Sequence, residues 1–271
     1  MILSDQHMHS SFSTDSQSDP RLLCDTAISR GLTSITITDH MDCEWPEDNT
    51  QYIFDEKEYF DVLGKLRADY SGRIDLGIGM EFGFRNEADI VEKIDKRFNE
   101  LKVLPFDFII GSTHLYDYGD PYYPKFWEGH NAYRRLMQYY EATLFNVEHY
   151  DSYDVYGHLD YAVRYVPADT HIEPTRFLNI IEVILKKIIE DGHGLEINTK
   201  NLNKGFSVPN PSPTILKMYR AMGGEIITVG SDAHKPEHVG GCFDKARDIL
   251  LDCGFKHYAV FRAHKPEFYE L

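Results

Sequence analysis

Histidines and carboxylates recur in this chain at short spacings that suit metal ligation. His7-Met8-His9 near the start and Asp232-Ala233-His234 near the end each place two potential ligands at i and i+2. On an extended segment such residues point to the same side, so both side chains can converge on one ion. Between them stand Thr38-Asp39-His40, Gly79-Met80-Glu81, Ser112-Thr113-His114 and Gly157-His158-Leu159-Asp160. His7, His9, His40, His114, His158 and His234, with Glu81, Asp232 and Asp15, exceed what one tetrahedral ion requires. A carboxylate can bridge two ions, so the inventory predicts a cluster of two to three divalent metals. Nitrogen and oxygen donors without thiolate favour Zn, Mn or Fe over a magnesium-only site. Such clusters hold substrate oxygens, generate hydroxide near neutral pH and stabilise the leaving group of a phosphoryl transfer. The chemistry expected is metal-assisted hydrolysis.

Each of these groups follows a short apolar run bounded by turn residues, the pattern of a buried parallel strand. The strands expected are Ile2–Gln6, Ser34–Thr38, Asp75–Met80, Phe106–Ser112, Asp154–Gly157, Leu195–Asn198 and Ile226–Gly230, with Tyr258–Phe261 as a weaker eighth. Helical patterns lie between them. Asp19-Pro20 supplies an N-cap and a first-turn proline to Arg21–Arg30, and Gly31 a C-cap. The others are Glu56–Tyr70, Glu87–Leu101, Ala132–Glu148, Thr175–Glu190 and Ser212–Met222. Alternating strands and helices imply a parallel sheet, and seven or eight units imply closure. The fold class predicted is α/β, a TIM-like barrel of seven strands, in one domain over residues 1–271. Chemistry in such barrels sits at the C-terminal strand ends. Histidine is 13 of 271 residues yet occupies five of the seven predicted ends, which favours a common site over scattered core histidines.

Lys and Arg number 28 against 44 Asp and Glu, a formal net charge of −16. That balance argues against long nucleic acid as the main partner, since its phosphates are met by clustered Lys and Arg. A small anionic substrate stays compatible, because metal ions reverse the local sign of a site. Cys24, Cys43, Cys242 and Cys253 show no C-x-x-C spacing, so neither a zinc ribbon nor a disulfide framework is expected. The sequence opens without a basic and apolar leader, and runs such as Phe108-Ile109-Ile110 fall far short of the ~20 residues that span a bilayer. The expectation is a cytoplasmic protein with reduced thiols and no membrane partner. No feature of the sequence marks an oligomeric state.

In order, spacing and total length, the motifs from His7 to His234 resemble the PHP (polymerase and histidinol phosphatase) superfamily, most of all its stand-alone histidinol-phosphate phosphatase branch. The resemblance implies a distorted (β/α)7 barrel with a trinuclear centre. By matching motif positions, it implies one metal on His7, His9, Glu81 and Asp232. A second would share Glu81 and add His114 and His158, and a third would take His40, His234 and a residue of the first loop. Some relatives carry a histidine there; here the position falls on Asp15, whose carboxylate can ligate but which also suits a turn. The activity implied is hydrolysis of a phosphomonoester, L-histidinol phosphate foremost, by a metal-activated hydroxide without a covalent phospho-enzyme. Two other readings stand beside it: a PHP phosphoesterase for nucleotides or other small phosphate esters, and a non-catalytic metal-binding scaffold. Ligand loss would mark the scaffold, and this chain keeps every ligand.

A phosphate dianion also needs directional donors. Arg164 follows His158 by six residues, where a guanidinium could bind phosphate bidentately. Lys200 and Lys204 fall in the sixth loop, with Lys204 preferred because Gly205 follows and the segment reads as extended. Asp160 would orient His158 or protonate the leaving alkoxide. Trp45 and Trp127 fall in the loops after strands two and four, among several tyrosines, and are expected to line the substrate pocket. Asp42 and Glu44 beside those rings could receive a cationic amine and an imidazole. His130 and His238, in upper loops, are further candidate substrate contacts.

Overall fold

A computed structural model describes residues 1–46, 52–170 and 172–271. Seven parallel strands lie side by side in sequence order: β1 (Ser4–Asp5), β2 (Ser34–Met41), β3 (Asp75–Gly83), β4 (Phe108–Ser112), β5 (Val155–Tyr156), β6 (Gly194–Asn198) and β7 (Ile227–Gly230). Single backbone bonds join the two ends of the sheet. Gln6 N–H donates to Val229 O at 3.0 Å, Asp232 N–H to His7 O at 2.8 Å and His9 N–H to Ala233 O at 2.8 Å. The product is a nearly closed TIM-like (β/α)7 barrel, as the alternation predicts.

β2 shows why these segments read as continuous buried runs: all eight of its residues are buried. A strand covered on both faces must satisfy its polar side chains inside the barrel. Ser34 Oγ donates to Ser4 Oγ at 2.7 Å and Gln6 Nε2 to Thr36 Oγ1 at 2.7 Å. The covering helices are α1 (Pro20–Ser29), α2 (Glu56–Tyr70), α3 (Val91–Leu101), α4 (Ala132–His149), α5 (Leu178–Glu190), the short α6 (Lys200–Asn203), α7 (Pro213–Ala221) and α8 (Phe243–Asp252). Short polar side chains accept from their first amides: Asp19 from Arg21, Asp55 from Glu58 and Asn131 from Arg134. α2 buries Tyr59, Leu63, Leu66 and Tyr70, a helical stripe turned to the sheet.

Three element boundaries differ from expectation for identifiable reasons. α3 starts at Val91 rather than Glu87, because Glu87 is held by both Arg85 Nε and Nη2 at 2.9 Å and by the Tyr118 amide at 3.0 Å. Pro174–Phe177 forms a tight 3-10 turn before α5. Lys200–Asn203, read as extended, is one helical turn with Lys204 as its C-cap.

The weaker eighth strand is not part of the barrel. β8 (His257–Arg262) pairs antiparallel with β9 (Lys265–Glu270), and Ala263 and His264 between them take φ of 46° and 62°, the geometry of a two-residue hairpin turn. The hairpin covers the N-terminal mouth of the barrel. Phe261 stacks on Phe108 with centroids 5.1 Å apart, and its N–H donates to Gln6 Oε1 at 2.7 Å. Arg262 and His264 reach Asp75, Asp107 and Asp154 at the starts of β3, β4 and β5. Access is thus left to the opposite, C-terminal end. Replacing Phe261 by alanine should cost about 3–5 kcal/mol, as for other buried phenylalanines. Calorimetric unfolding would show the loss; an unchanged midpoint would mean that the hairpin is not needed to close the floor. Among the described residues no helix is long and apolar enough to cross a membrane.

Candidate metal centre

At the C-terminal strand ends the nine candidate ligands come together around Glu81. Its Oε1 lies 2.7 Å from His158 Nε2 and 3.1 Å from His114 Nε2. Its Oε2 lies 3.2 Å from His7 Nε2, 3.5 Å from His9 Nε2 and 3.2 Å from His40 Nδ1. Asp232 Oδ1 stands 3.4 Å from His9 Nε2, and Asp15 Oδ2 stands 2.9 Å from His234 Nε2 and 3.8 Å from His40 Nε2. The overlapping triplets His7/His9/Asp232, His7/Glu81/His158, His40/Glu81/His114 and His9/His40/His234 each hold ligand atoms within 4.8 Å of one another. Glu81 Oε2 is buried and accepts no hydrogen bond despite three imidazole nitrogens nearby. Buried carboxylate oxygens are rarely left so. Nitrogen and oxygen donors crowded around such an atom fit divalent cations.

A second layer aims the imidazoles inward. His7 Nδ1 lies 2.6 Å from Glu196 Oε1, and His114 Nδ1 lies 2.8 Å from Asp42 Oδ1. His9 Nδ1 lies 3.1 Å from Ser13 Oγ, whose own hydroxyl donates to Asp39 Oδ1 at 2.6 Å. His234 Nδ1 lies 3.0 Å from the Asp232 carbonyl. In a metal-bound state each of these imidazoles would donate its Nδ1–H outward and turn its Nε2 lone pair to the centre, the tautomer a metal needs. Glu196 also accepts from the His158 amide at 2.9 Å, supporting a backbone at φ 21°. Room for it comes from Gly230: a Cβ there would fall 2.3 Å from Glu196 Oε1 and 2.4 Å from His7 Cβ. Glu196→Gln should therefore weaken metal binding roughly 10–100-fold, as losses of outer partners do. Competition with a chromophoric chelator would measure it; wild-type affinity would deny Glu196 this role.

The electrostatics follow from the same contacts. Burial opposes a charge on His7, but Glu196, Glu81 and Asp232 outweigh it and raise its pKa well above the usual imidazole range. Asp42 and Glu81 do the same for His114 against its burial. His9 is driven well below that range by burial and by His40 and His234. Burial works against Glu81 as a carboxylate, yet His7, His114 and His158 hold its pKa well below normal. The sign of the pH effect is then set. The raised pKa of His7 and His114 favours their protonated forms in the metal-free protein, and an incoming ion must displace such protons. Apparent metal affinity should fall as pH falls, by up to about a decade per pH unit for each proton expelled. Titrations at two pH values would show it, and a pH-independent affinity would contradict it.

Residues 5–200 match the PHP domain family model. The chain belongs to the PHP family. It is 32% identical over 270 residues to the histidinol-phosphatase of Lactococcus lactis, covering 96% of this chain and 95% of that one. It is 30% identical over 253 residues to a Clostridium acetobutylicum protein named "probable histidinol-phosphatase", covering 93% and 94%. Among solved structures it is similar to the Lactococcus lactis histidinol phosphate phosphatase complexed with zinc, L-histidinol and phosphate, with a TM-score of 0.83, 29% identity and coverage of 97% and 98%.

In this PHP chain the centre opens into a cavity of about 760 Å³. Asp15, His40, Glu81, His114, His158, Asp232 and His234 line it, together with Trp45, Lys200, Lys204 and His238. Several expected contacts lie elsewhere. Trp127 is buried, with Nε1 donating to Pro121 O at 2.8 Å and its ring against Phe126, so it packs its own loop. His130 is exposed beside the start of α4 and does not line the cavity. Asp160 neither orients His158 nor faces the cavity: its carboxylate accepts from Asn210 Nδ2 and from the Ser212 amide, anchoring the loop after α6. Burial raises its pKa. Asp42 is committed to His114 and His40, and Glu44 pairs with Lys93 at 2.9 Å. Arg164 donates through Nη2 to Asn210 Oδ1 at 2.6 Å and lies 5.0 Å from the Tyr161 ring, with Nε and Nη1 buried and without hydrogen bonds. Lys200, ranked behind Lys204 on sequence, holds Asp232 Oδ1 at 2.8 Å.

Proposed function

We propose that this chain is a metal-dependent phosphomonoester hydrolase that converts L-histidinol phosphate and water to L-histidinol and phosphate. The observation that carries the reading is the two-sided placement of Glu81, with Oε1 toward His114 and His158 and Oε2 toward His7, His9 and His40. Similarity over nearly the whole length of histidinol-phosphatases, one seen with zinc, L-histidinol and phosphate, supports the substrate.

Three ions of Zn, Mn or Fe are proposed: one on His7, His9, Glu81 and Asp232, one on Glu81, His114 and His158, and one on His40, His234 and Asp15. Bound there, divalent ions supply Lewis acidity that lowers the pKa of water and offsets charge on a phosphoryl group. The protein's own groups do the rest. Lys200 and Lys204 add positive charge on the cavity wall, where charge on the phosphoryl oxygens grows during reaction, while Arg164, anchored on Asn210 and not itself a lining residue, adds its positive charge from outside the lining. The enclosing barrel end limits water around those donors and strengthens them. The catalytic unit is proposed to span residues 1–271 as one domain. The family match ends at residue 200, whereas Asp232 and His234 come from the end of β7.

The test is phosphate release by metal-loaded protein from histidinol phosphate, an aryl phosphate and a nucleotide monophosphate. A kcat/KM preference of ~10³-fold or more for histidinol phosphate, about 4 kcal/mol of selective transition-state binding, is expected. A flat or nucleotide-favouring profile would move the protein to a general phosphoesterase. Full metal occupancy without turnover of any ester would make it a scaffold.

A further inference from the structure

Asn198 closes β6 in register with Gly230 of β7 and is fully buried. Glu196 stands two residues earlier on the same strand, and side chains at i and i+2 share a face. Both N–H donors of the Asn198 amide are in use. Nδ2 donates to Glu196 Oε2 at 3.3 Å and to Asp232 Oδ2 at 3.2 Å, while Oδ1 accepts from the Lys200 backbone N–H at 3.1 Å. Ionised carboxylates only accept, so the orientation of this amide is fixed. Reversed, it would press its oxygen against two carboxylates and its NH2 against an N–H. The strand end that carries it is braced as well. Asn198 N–H donates to Asn210 O at 2.7 Å, and Asn210 N–H returns a bond to Asn198 O at 3.1 Å.

The two carboxylates that share this NH2 group have different tasks. Glu196 holds His7 through Oε1, whereas Asp232 turns Oδ1 toward His9 and Oδ2 toward Asn198. Asp232 stands at φ 51°, a left-handed conformation that persists only where its surroundings hold it. Lys200 Nζ meets Oδ1 at 2.8 Å, but an ammonium on a flexible stem supplies charge more than direction. Direction comes from the short, buried amide on Oδ2. Both carboxylates also lie within 3.3 Å of one nitrogen, close enough to repel each other strongly away from water. The shared donor offsets that repulsion and sets their spacing.

We propose that Asn198 is a positioning residue of the reaction: its one NH2 group fixes Asp232 against the Glu196 that aims His7, so that ligands from β1 and β7 meet at a single ion. The proposal rests on the phosphatase reading above and deepens it. The role differs from that of Glu196, which orients one imidazole. Asn198 sets the separation between that imidazole and the carboxylate from the far end of the chain. An apolar side chain of similar size would fill the space but leave both carboxylates short of a donor, so the effect belongs to the hydrogen bonds and not to volume.

The experiment titrates zinc into the full chain against a chromophoric chelator, for wild type, Asn198→Leu and Asn198→Ala. Thr228→Val, a buried change on β7 two residues before Gly230, serves as control. Each Asn198 variant should weaken one equivalent of zinc roughly 10–100-fold and leave the others at wild-type affinity. Anomalous peaks from crystals at limiting zinc should then be lowest beside His7, His9 and Asp232. At limiting zinc kcat for histidinol phosphate should fall in step with that equivalent, while KM holds. Thr228→Val should bind zinc as wild type does. Unchanged affinity, or equal weakening of every equivalent as expected of a merely structural residue, would overturn the assignment. A thermal midpoint in chelator checks the fold, and Asn198→Ala carries the test if the leucine variant does not fold. Failure of the phosphatase reading shows differently, as zinc-loaded wild type that turns over no ester. The titration still decides the role of Asn198 in that case, because it needs no turnover. Wild type that takes up no zinc would overturn both.

Discussion

Replacing Glu81 by glutamine should strip bound metal from the protein and lower kcat by at least ~10³-fold, about 4 kcal/mol of transition-state stabilisation. The substitution keeps the size of the side chain and its place on β3, but a neutral amide cannot present two anionic oxygens to two sets of imidazoles. The effect exceeds that of losing any one histidine, because His7, His9, His40, His114 and His158 all lie within 3.5 Å of this one carboxylate. His7 and His114 owe part of their raised pKa to Glu81, so their affinity for protons should fall as well. Elemental analysis and turnover on one preparation, with a thermal midpoint to exclude unfolding, make the measurement. Retained metal with activity within ten-fold of wild type would contradict the bridging role.

The second large effect is expected at Arg164. Arg164→Met should reduce kcat/KM by about 10²–10³-fold with bound metal unchanged, the size seen when a donor to a developing oxyanion is removed. Lysine should not restore it, since a point charge on a flexible stem does not reproduce a planar set of donors. The guanidinium is held by Asn210 and lies over the Tyr161 ring, outside the residues that line the cavity, so it must turn toward the phosphate to act on it directly. If Arg164→Met instead loses metal or stability in proportion to activity, Arg164 serves only to brace the Asn210 loop.

The clustering of the candidate metal ligands could be read from sequence because a barrel turns strand order into spatial adjacency, so residues far apart in the chain meet if each stands at a strand end. His7-x-His9 and Asp232-x-His234 are the clearest cases, since the i, i+2 spacing is local. Glu196 was harder to interpret. A lone carboxylate between Leu195 and Ile197 in a buried strand is a visible anomaly, but that it serves His7 depends on β6 lying near β1 across a small barrel, with glycine at 230 between them. Asp42 and Asp160 show the reverse error. Asp42 was expected at the substrate's amine and imidazole and Asp160 at His158 or the leaving alkoxide, whereas the fold turned Asp42 toward His114 and Asp160 toward Asn210 and Ser212. Trp127 differs from expectation for the same reason: a loop can fold onto itself, and sequence does not say which way a ring points. β8 has the composition of a barrel strand, but the left-handed residues Ala263-His264 turn the chain back to pair with the polar, exposed β9.

The most direct test of the account is anomalous diffraction from metal-loaded crystals at the absorption edge of the bound element. The account predicts peaks on both sides of Glu81, about 2.0–2.2 Å from its oxygens and from the inward nitrogens of His7, His9, His114 and His158, with a further peak between His40, His234 and Asp15. Peaks confined to other parts of the molecule, or no peak beside Glu81 in protein that hydrolyses its substrate, would contradict it.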